Sequence, residues 1–148
     1  LNRTSSMSRK WFDNKVPNIE KISCENKLEN FAKFAVENYI KHFNNGDYER
    51  VADLFAETAT VEDPIGTPIK NGKAEIKEFY KMSTQLGAQL ALNGPVRAAT
   101  NAAAFAFSVT TQSPQGNIQV DVIDTFKFDG EGKVTEMCAY WGQLNVKM

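Results

Sequence analysis

Residues 117–129 read N-I-Q-V-D-V-I-D-T-F-K-F-D. Ile118, Val120, Val122, Phe126 and Phe128 fall on every second position. That is the period of a strand with one face turned to a core. The remaining member of that face is Asp124. A carboxyl set among Val and Phe loses hydration, which disfavours its charged form unless a partner compensates. Two readings are open at this point. Asp124 is a structural acid, paired with Arg97 or a lysine or sitting at a wet strand edge, or it is a carboxylic acid held neutral to donate a hydrogen bond.

Upstream, the chain is helical. From about Asn26 to Phe43, Leu28, Ala32, Ala35 and Tyr39 share one stripe, flanked by Phe31, Val36, Ile40 and Phe43, at spacings of three and four. Tyr39 therefore faces inward, where a tyrosine hydroxyl ordinarily finds a backbone carbonyl. Gly46 suits the position after a helix end and Asp47 the cap of the next helix, which should run to about Glu57 and bury Val51, Leu54 and Phe55. A-T-V-E-D-P, residues 59–64, then reads as a short strand stopped by Pro64, with Asp63 at its end. A third helix is expected over about Lys73 to Gln85, its inward stripe being Ile76, Phe79, Tyr80 and Ser83.

From Gln89 onward the chain alternates as strands. Gln89–Ala99 is interrupted at Asn93-Gly94-Pro95, which predicts a bulge or bend. Ala102–Thr111 sets Phe105, Phe107 and Val109 on one face. Asp129-Gly130-Glu131-Gly132 turns the chain into Lys133–Val146, where Met137, Ala139 and Trp141 share a face opposite Cys138 and Tyr140. Three helices followed by antiparallel strands predict an α+β domain, a strongly bent sheet wrapped over its helices around one deep pocket. Residues 1–25 are polar and contain Pro17, and read as an N-terminal extension docked by Trp11, Phe12, Val16 and Ile19 ahead of a single domain over 26–148.

Composition narrows the function. The 148 residues carry 17 Lys and Arg against 18 Asp and Glu, a net charge of -1, so no basic face argues for nucleic acid or an anionic membrane. No apolar run approaches the ~20 residues that span a bilayer. Cys24 and Cys138 form no C-x-x-C and read as reduced thiols of a cytoplasmic protein, with a secreted one as the alternative. With His42 as the one histidine, no zinc-ligand spacing exists, and on the first helix beside Lys41 it reads as a solvated surface residue, not part of a catalytic triad. The glycines form no phosphate-binding loop. No metal, nucleotide or flavin is signalled.

Several stretches taken together resemble one family. Residues 39–66, Y-I-K-H-F-N-N-G-D-Y-E-R-V-A-D-L-F-A-E-T-A-T-V-E-D-P-I-G, with G-K-A-E-I-K-E-F-Y (72–80), A-A-A-F-A-F-S-V, V-I-D-T-F-K-F-D-G and Y-W-G, are similar to bacterial steroid Δ5-isomerases (ketosteroid isomerases). These belong to the cone-shaped folds related to nuclear transport factor 2 and the SnoaL cyclases. N-G-D and F-A-x-x-A-T mark only the superfamily. V-E-D-P-x-G with an inward helical Tyr and a late I-D-x-F is more specific. The resemblance implies three N-terminal helices in the concave face of a strongly curved, mostly antiparallel sheet. It assigns Asp63 as general base, Tyr39 as oxyanion tyrosine and Asp124 as the neutral acid. Tyr80 would support Tyr39 through hydrogen bonds, and Phe107, Val109, Met137 and Trp141 would line an apolar steroid cleft. The family is the established example of a carboxylic acid kept neutral at pH 7, so that idea is carried over with the resemblance. Phe55 departs from members that have a further networked tyrosine, and Thr125 from one with a histidine beside the neutral acid.

The implied reaction is cofactor-free isomerisation of a small apolar ketone, a 3-oxo-Δ5-steroid or similar, by a homodimer. Two alternatives share the fold: a SnoaL-like cyclase or hydratase, and a non-catalytic binding module of the transport-factor kind. The joint presence of Tyr39, Asp63 and Asp124 separates them, because a pure binding module has no need of all three.

Overall fold

The computed structural model describes residues 19–148. Trp11, Phe12 and Val16, expected to dock the N-terminal extension, lie outside the described residues. Helix α1 spans Ile19–Asn44, starting before the expected Asn26. It buries Ala32, Ala35, Val36, Tyr39 and Phe43 along the expected stripe. Its end closes on Gly46 at φ 73°, a left-handed position that costs glycine nothing. Asp47 then caps α2 (Tyr48–Asp53), accepting a hydrogen bond from the Arg50 amide at 3.3 Å.

Helix α2 stops at Asp53, four residues short of the expected Glu57, and Phe55 opens strand β1 (Phe55–Glu62) instead. Pairing with a distant strand overrides the helical reading: Phe55 stands opposite Val134, whose amide donates to the Leu54 carbonyl at 2.8 Å. Phe55, Ala59 and Val61 point into the core. After β2 (Lys70–Asn71) comes α3 (Lys73–Gln85), which buries Ile76 and Tyr80.

The remaining strands are β3 (Gln89–Leu92), β4 (Arg97–Ala99), β5 (Ala102–Ser113), β6 (Gly116–Phe128), β7 (Val134–Tyr140) and β8 (Val146–Lys147). The sheet order is β2-β1-β7-β6-β5-β3, with β4 also on β5 and β8 on β6. Among the described residues, only the β1–β7 pair is parallel. The break at Asn93–Val96 lets β3 and β4 pair with successive parts of β5, which bends the sheet over the helices. The fold is α+β, and the described residues form three helices against the concave face of one curved sheet. The last expected strand ends early, at Tyr140; a 3₁₀ turn over Gln143–Asn145 then returns Val146 to pair with Val120.

Helix and sheet meet at Phe126. Its ring makes edge contacts with Tyr39 of α1 (centroids 5.2 Å apart), Phe105 of β5 (5.0 Å), Phe55 of β1 (6.2 Å) and Phe128 of β6 (6.0 Å). Edge-on aromatic pairs add to area burial because ring edges are positive and faces negative. At the far end, Phe31 packs on Phe128, and a Cβ at Gly132 would collide with the Phe31 ring. No helix among the described residues is long and apolar enough to cross a membrane. Phe126→Ala should cost about 3–5 kcal/mol in urea denaturation with an unchanged slope; a loss below about 1 kcal/mol would mean the ring is not the junction of the core.

Candidate active site

Four elements bring titratable side chains to one cavity of about 390 Å³. Tyr39 enters from α1, Tyr80 from α3, Asp124 from β6, and Asp63 from the segment just after β1. Trp141, Phe107, Val109 and Val122 supply apolar wall. Met137 does not line the cavity; it is fully buried in the core between Val61 and Phe126, its partners on β1 and β6.

Strand register sets the two carboxylates. Asp124 pairs with Phe105 on one side and Ala139 on the other, in the middle of the sheet. Strand β1 runs parallel to β7 with Glu62 opposite Cys138, so Asp63 follows at the level of Ala139. The Ile65 amide donates to the Ala139 carbonyl at 2.9 Å and pins the Asp63–Pro64 segment there. The two acids thus flank β7, two strand spacings or about 10 Å apart at the backbone.

Their environments differ. Asp124 is 1% exposed, makes no ion pair, and its Oδ1 has no hydrogen-bond partner among the described residues. Arg97, the cation considered for it, is exposed and donates to the Pro95 carbonyl. Burial, and next the negative charge of Asp63, push the Asp124 carboxyl well above the usual carboxylate range. Asp63 is only half-buried and accepts a hydrogen bond from Trp141 Nε1 at 2.9 Å. Burial raises it too, but the Trp141 hydrogen bond and the Lys70 charge oppose that rise. The pair therefore has a state in which Asp63 is ionised and Asp124 is protonated.

The two phenols meet at 3.0 Å, Tyr39 Oη to Tyr80 Oη. Burial holds both well above the ordinary tyrosine value, helped at Tyr39 by the Tyr80 phenol and then Asp124 and at Tyr80 by Asp124, so both are neutral donors. Phe55 packs on Tyr80 at 5.7 Å, so no hydroxyl extends the chain in that direction. A neutral phenol and a neutral carboxylic acid in an apolar cavity can both donate to one oxygen, while an ionised carboxylate at the same cavity accepts a proton.

Sequence reasoning gave Trp141 only as apolar wall. Its hydrogen bond to Asp63 was discoverable in principle, since a buried indole N–H needs an acceptor. Phe43, Leu90 and Thr111, which also line the cavity, carried no signal beyond ordinary core and strand patterning.

A curved sheet cupping three helices around an acid-bearing apolar cavity defines the class. The chain belongs to the SnoaL-like domain family, whose model matches residues 36–137. It is 40% identical over 102 residues to a steroid Delta-isomerase of Nocardioides simplex, covering 65% of this chain and 77% of that protein. Its fold is similar to that of SalBIII, described as an epoxide hydrolase/cyclase-like enzyme in pyran ring formation in polyether salinomycin. The TM-score there is 0.73 at 24% identity, over 78% of this chain and 94% of that one.

Linkage gives a test of the buried acid that needs no substrate. A carboxyl raised in the folded state is protonated there while its unfolded counterpart is ionised, so folding binds a proton and stability falls as pH rises through that window. Asp124→Asn removes this slope. The variant should match wild type below about pH 4 and exceed it by about 1–3 kcal/mol near neutrality, followed by urea denaturation across pH. A difference independent of pH would show that Asp124 is not held neutral.

Proposed function

We propose that this protein is a cofactor-independent isomerase that moves a double bond from β,γ to α,β of a ketone, with a 3-oxo-Δ5-steroid or similarly flat apolar ketone as substrate. The observation that carries the reading is the unpartnered Asp124 carboxyl buried in the same cavity as the Tyr39 phenol and the half-buried Asp63. The identity to a steroid Delta-isomerase supports it at family level. A cyclase shares only the fold-level likeness, which does not choose a reaction.

In this mechanism Asp63, ionised, takes a proton from the carbon between the carbonyl and the double bond. The C–H electron pair becomes a C=C bond to the carbonyl carbon, and the carbonyl π electrons move onto oxygen. Tyr39 and protonated Asp124 donate to that oxygen as its charge develops, in a site where water is scarce. Tyr80, donating to Tyr39, leaves the Tyr39 hydrogen free for the substrate. Asp63 then returns the proton to the far carbon of the former double bond, and the carbonyl re-forms with its neighbour conjugated. No net proton or electron is exchanged with solvent.

The steroid core suits a cavity whose walls are mostly aromatic and aliphatic and which holds the polar groups of Tyr39, Asp124 and Asp63. The assay is the rise of conjugated-enone absorbance from a β,γ-unsaturated 3-ketosteroid. Asp63→Asn should lose about 10²–10⁴-fold in kcat and Tyr39→Phe about 10²–10³-fold. Wild-type rates no higher than those of Asp63→Asn would end the isomerase reading and leave the fold untouched.

A further inference from the structure

Asp63 is asked to do two conflicting things: sit where an apolar ketone binds, and stay ionised there. Desolvation at such a site favours the protonated acid. The Trp141 N–H offsets part of this, but an indole is neutral and supplies a dipole, not a charge. A full positive charge on this side of the cavity comes from strand β2. Lys70 pairs with Val61 in β1, two residues before Asp63. Its side chain is half-buried, and Nζ lies 4.8 Å from the centroid of the Phe79 ring, which with Asp63 lines the cavity. The ion pairs of the described residues use Lys33, Arg50, Lys73, Lys77, Lys127 and Lys147, and Lys70 is in none of them. A cation seated on an aromatic face is held in place without being neutralised.

We propose that Lys70 is a positioning residue for the isomerisation, its ammonium anchored on Phe79 at the rim of the cavity so that its charge keeps Asp63 in the basic form. The proposal rests on the reading of Asp63 as the general base. It acts through space, since Lys70 and Asp63 form no ion pair. A direct pair would tie the carboxylate down and make it a poorer base, whereas a cation set back from it favours ionisation and leaves the lone pairs free. Among the described residues, the groups that face Asp63 from the other elements carry no positive charge. From β6 Asp124 is an acid, from α1 and α3 Tyr39 and Tyr80 are neutral, and neighbouring Glu62 accepts the Gly66 amide at 2.7 Å. Cys138 of β7, opposite Glu62, carries no positive charge. The direction of the Lys70 influence on Asp63 agrees with the geometry.

The test uses Lys70→Met, which keeps length and removes charge, Lys70→Arg, which keeps charge over the ring, and Trp141→Phe as a calibrant that removes the one hydrogen bond to Asp63. The Asp63 carboxyl carbon is followed by NMR against pH in each full-length variant, assigned with Asp63→Asn; this readout needs no turnover. In Lys70→Met the Asp63 titration should move up, in Lys70→Arg it should stay, and in Trp141→Phe it should move up. With a β,γ-unsaturated 3-ketosteroid, Lys70→Met should lose about threefold in kcat/KM on the acid limb while the plateau holds or rises, because a more basic carboxylate is the better base once ionised. An unmoved titration in Lys70→Met alongside a moved one in Trp141→Phe overturns the proposal. So does a loss equal at every pH, which would make Lys70 a packing partner of Phe79. Should wild type fail to isomerise the ketone while the titration still follows Lys70, the assigned reaction fails and the electrostatic coupling stands.

Discussion

The structure turns on the dehydration of one carboxyl. Asp124 is in mid-sheet, flanked by Phe105 and Ala139, at 1% exposure and without a counter-ion among the described residues. Such a group disfavours ionisation strongly enough that the surroundings can be apolar without requiring a buried cation. A paired acid would have brought an arginine into the cavity and made it polar. A neutral one leaves the cavity greasy and adds a strong donor. The stability lost by burying a carboxyl is offset by the aromatic cluster centred on Phe126, which joins both major layers around it.

The second acid gains its meaning from contrast with the first. Asp63 and Asp124 are chemically the same, and both are raised by burial. They separate because Asp63 leaves the end of β1 into a half-exposed segment with an indole N–H and a distant cation, whereas Asp124 has neither. The parallel pairing of β1 and β7 places them across one strand from each other. An antiparallel β1 would have turned the end of that strand, and Asp63 with it, to the opposite rim. That parallel pair, set beside antiparallel neighbours, is what makes two acids share a cavity.

Membership of the SnoaL-like family fixes the scaffold and leaves the chemistry to side chains. The likeness to SalBIII and the identity to a steroid Delta-isomerase meet in the same cupped sheet. Here the phenol pair is short, closed off by Phe55, so polarisation of Tyr39 relies on Tyr80 alone. The proposed electrostatic part of Lys70 lies at the rim, on the two-residue strand β2.

Periodicity alone settled a good deal: the inward stripe of α1 with Tyr39 on it, the alternation of β5 and β6, and the anomaly of Asp124 on an apolar face. Those are local properties, because the direction of a side chain follows from helix and strand repeat. The break at Asn93–Pro95 was equally legible from backbone chemistry. Tertiary structure decided the rest. Helix α2 ends at Asp53 because Val134, far along the chain, claims the Leu54 carbonyl. The chain leaves β7 at Tyr140 because Val146 finds an edge on β6. Met137, which shares the face of Trp141, fell into the core instead of the cavity, since strand alternation reports the face and not what covers it. That the Trp141 indole needs an acceptor is legible from its chemistry, but that the acceptor is Asp63, and that Lys70 is seated on Phe79, follow only from the folded register.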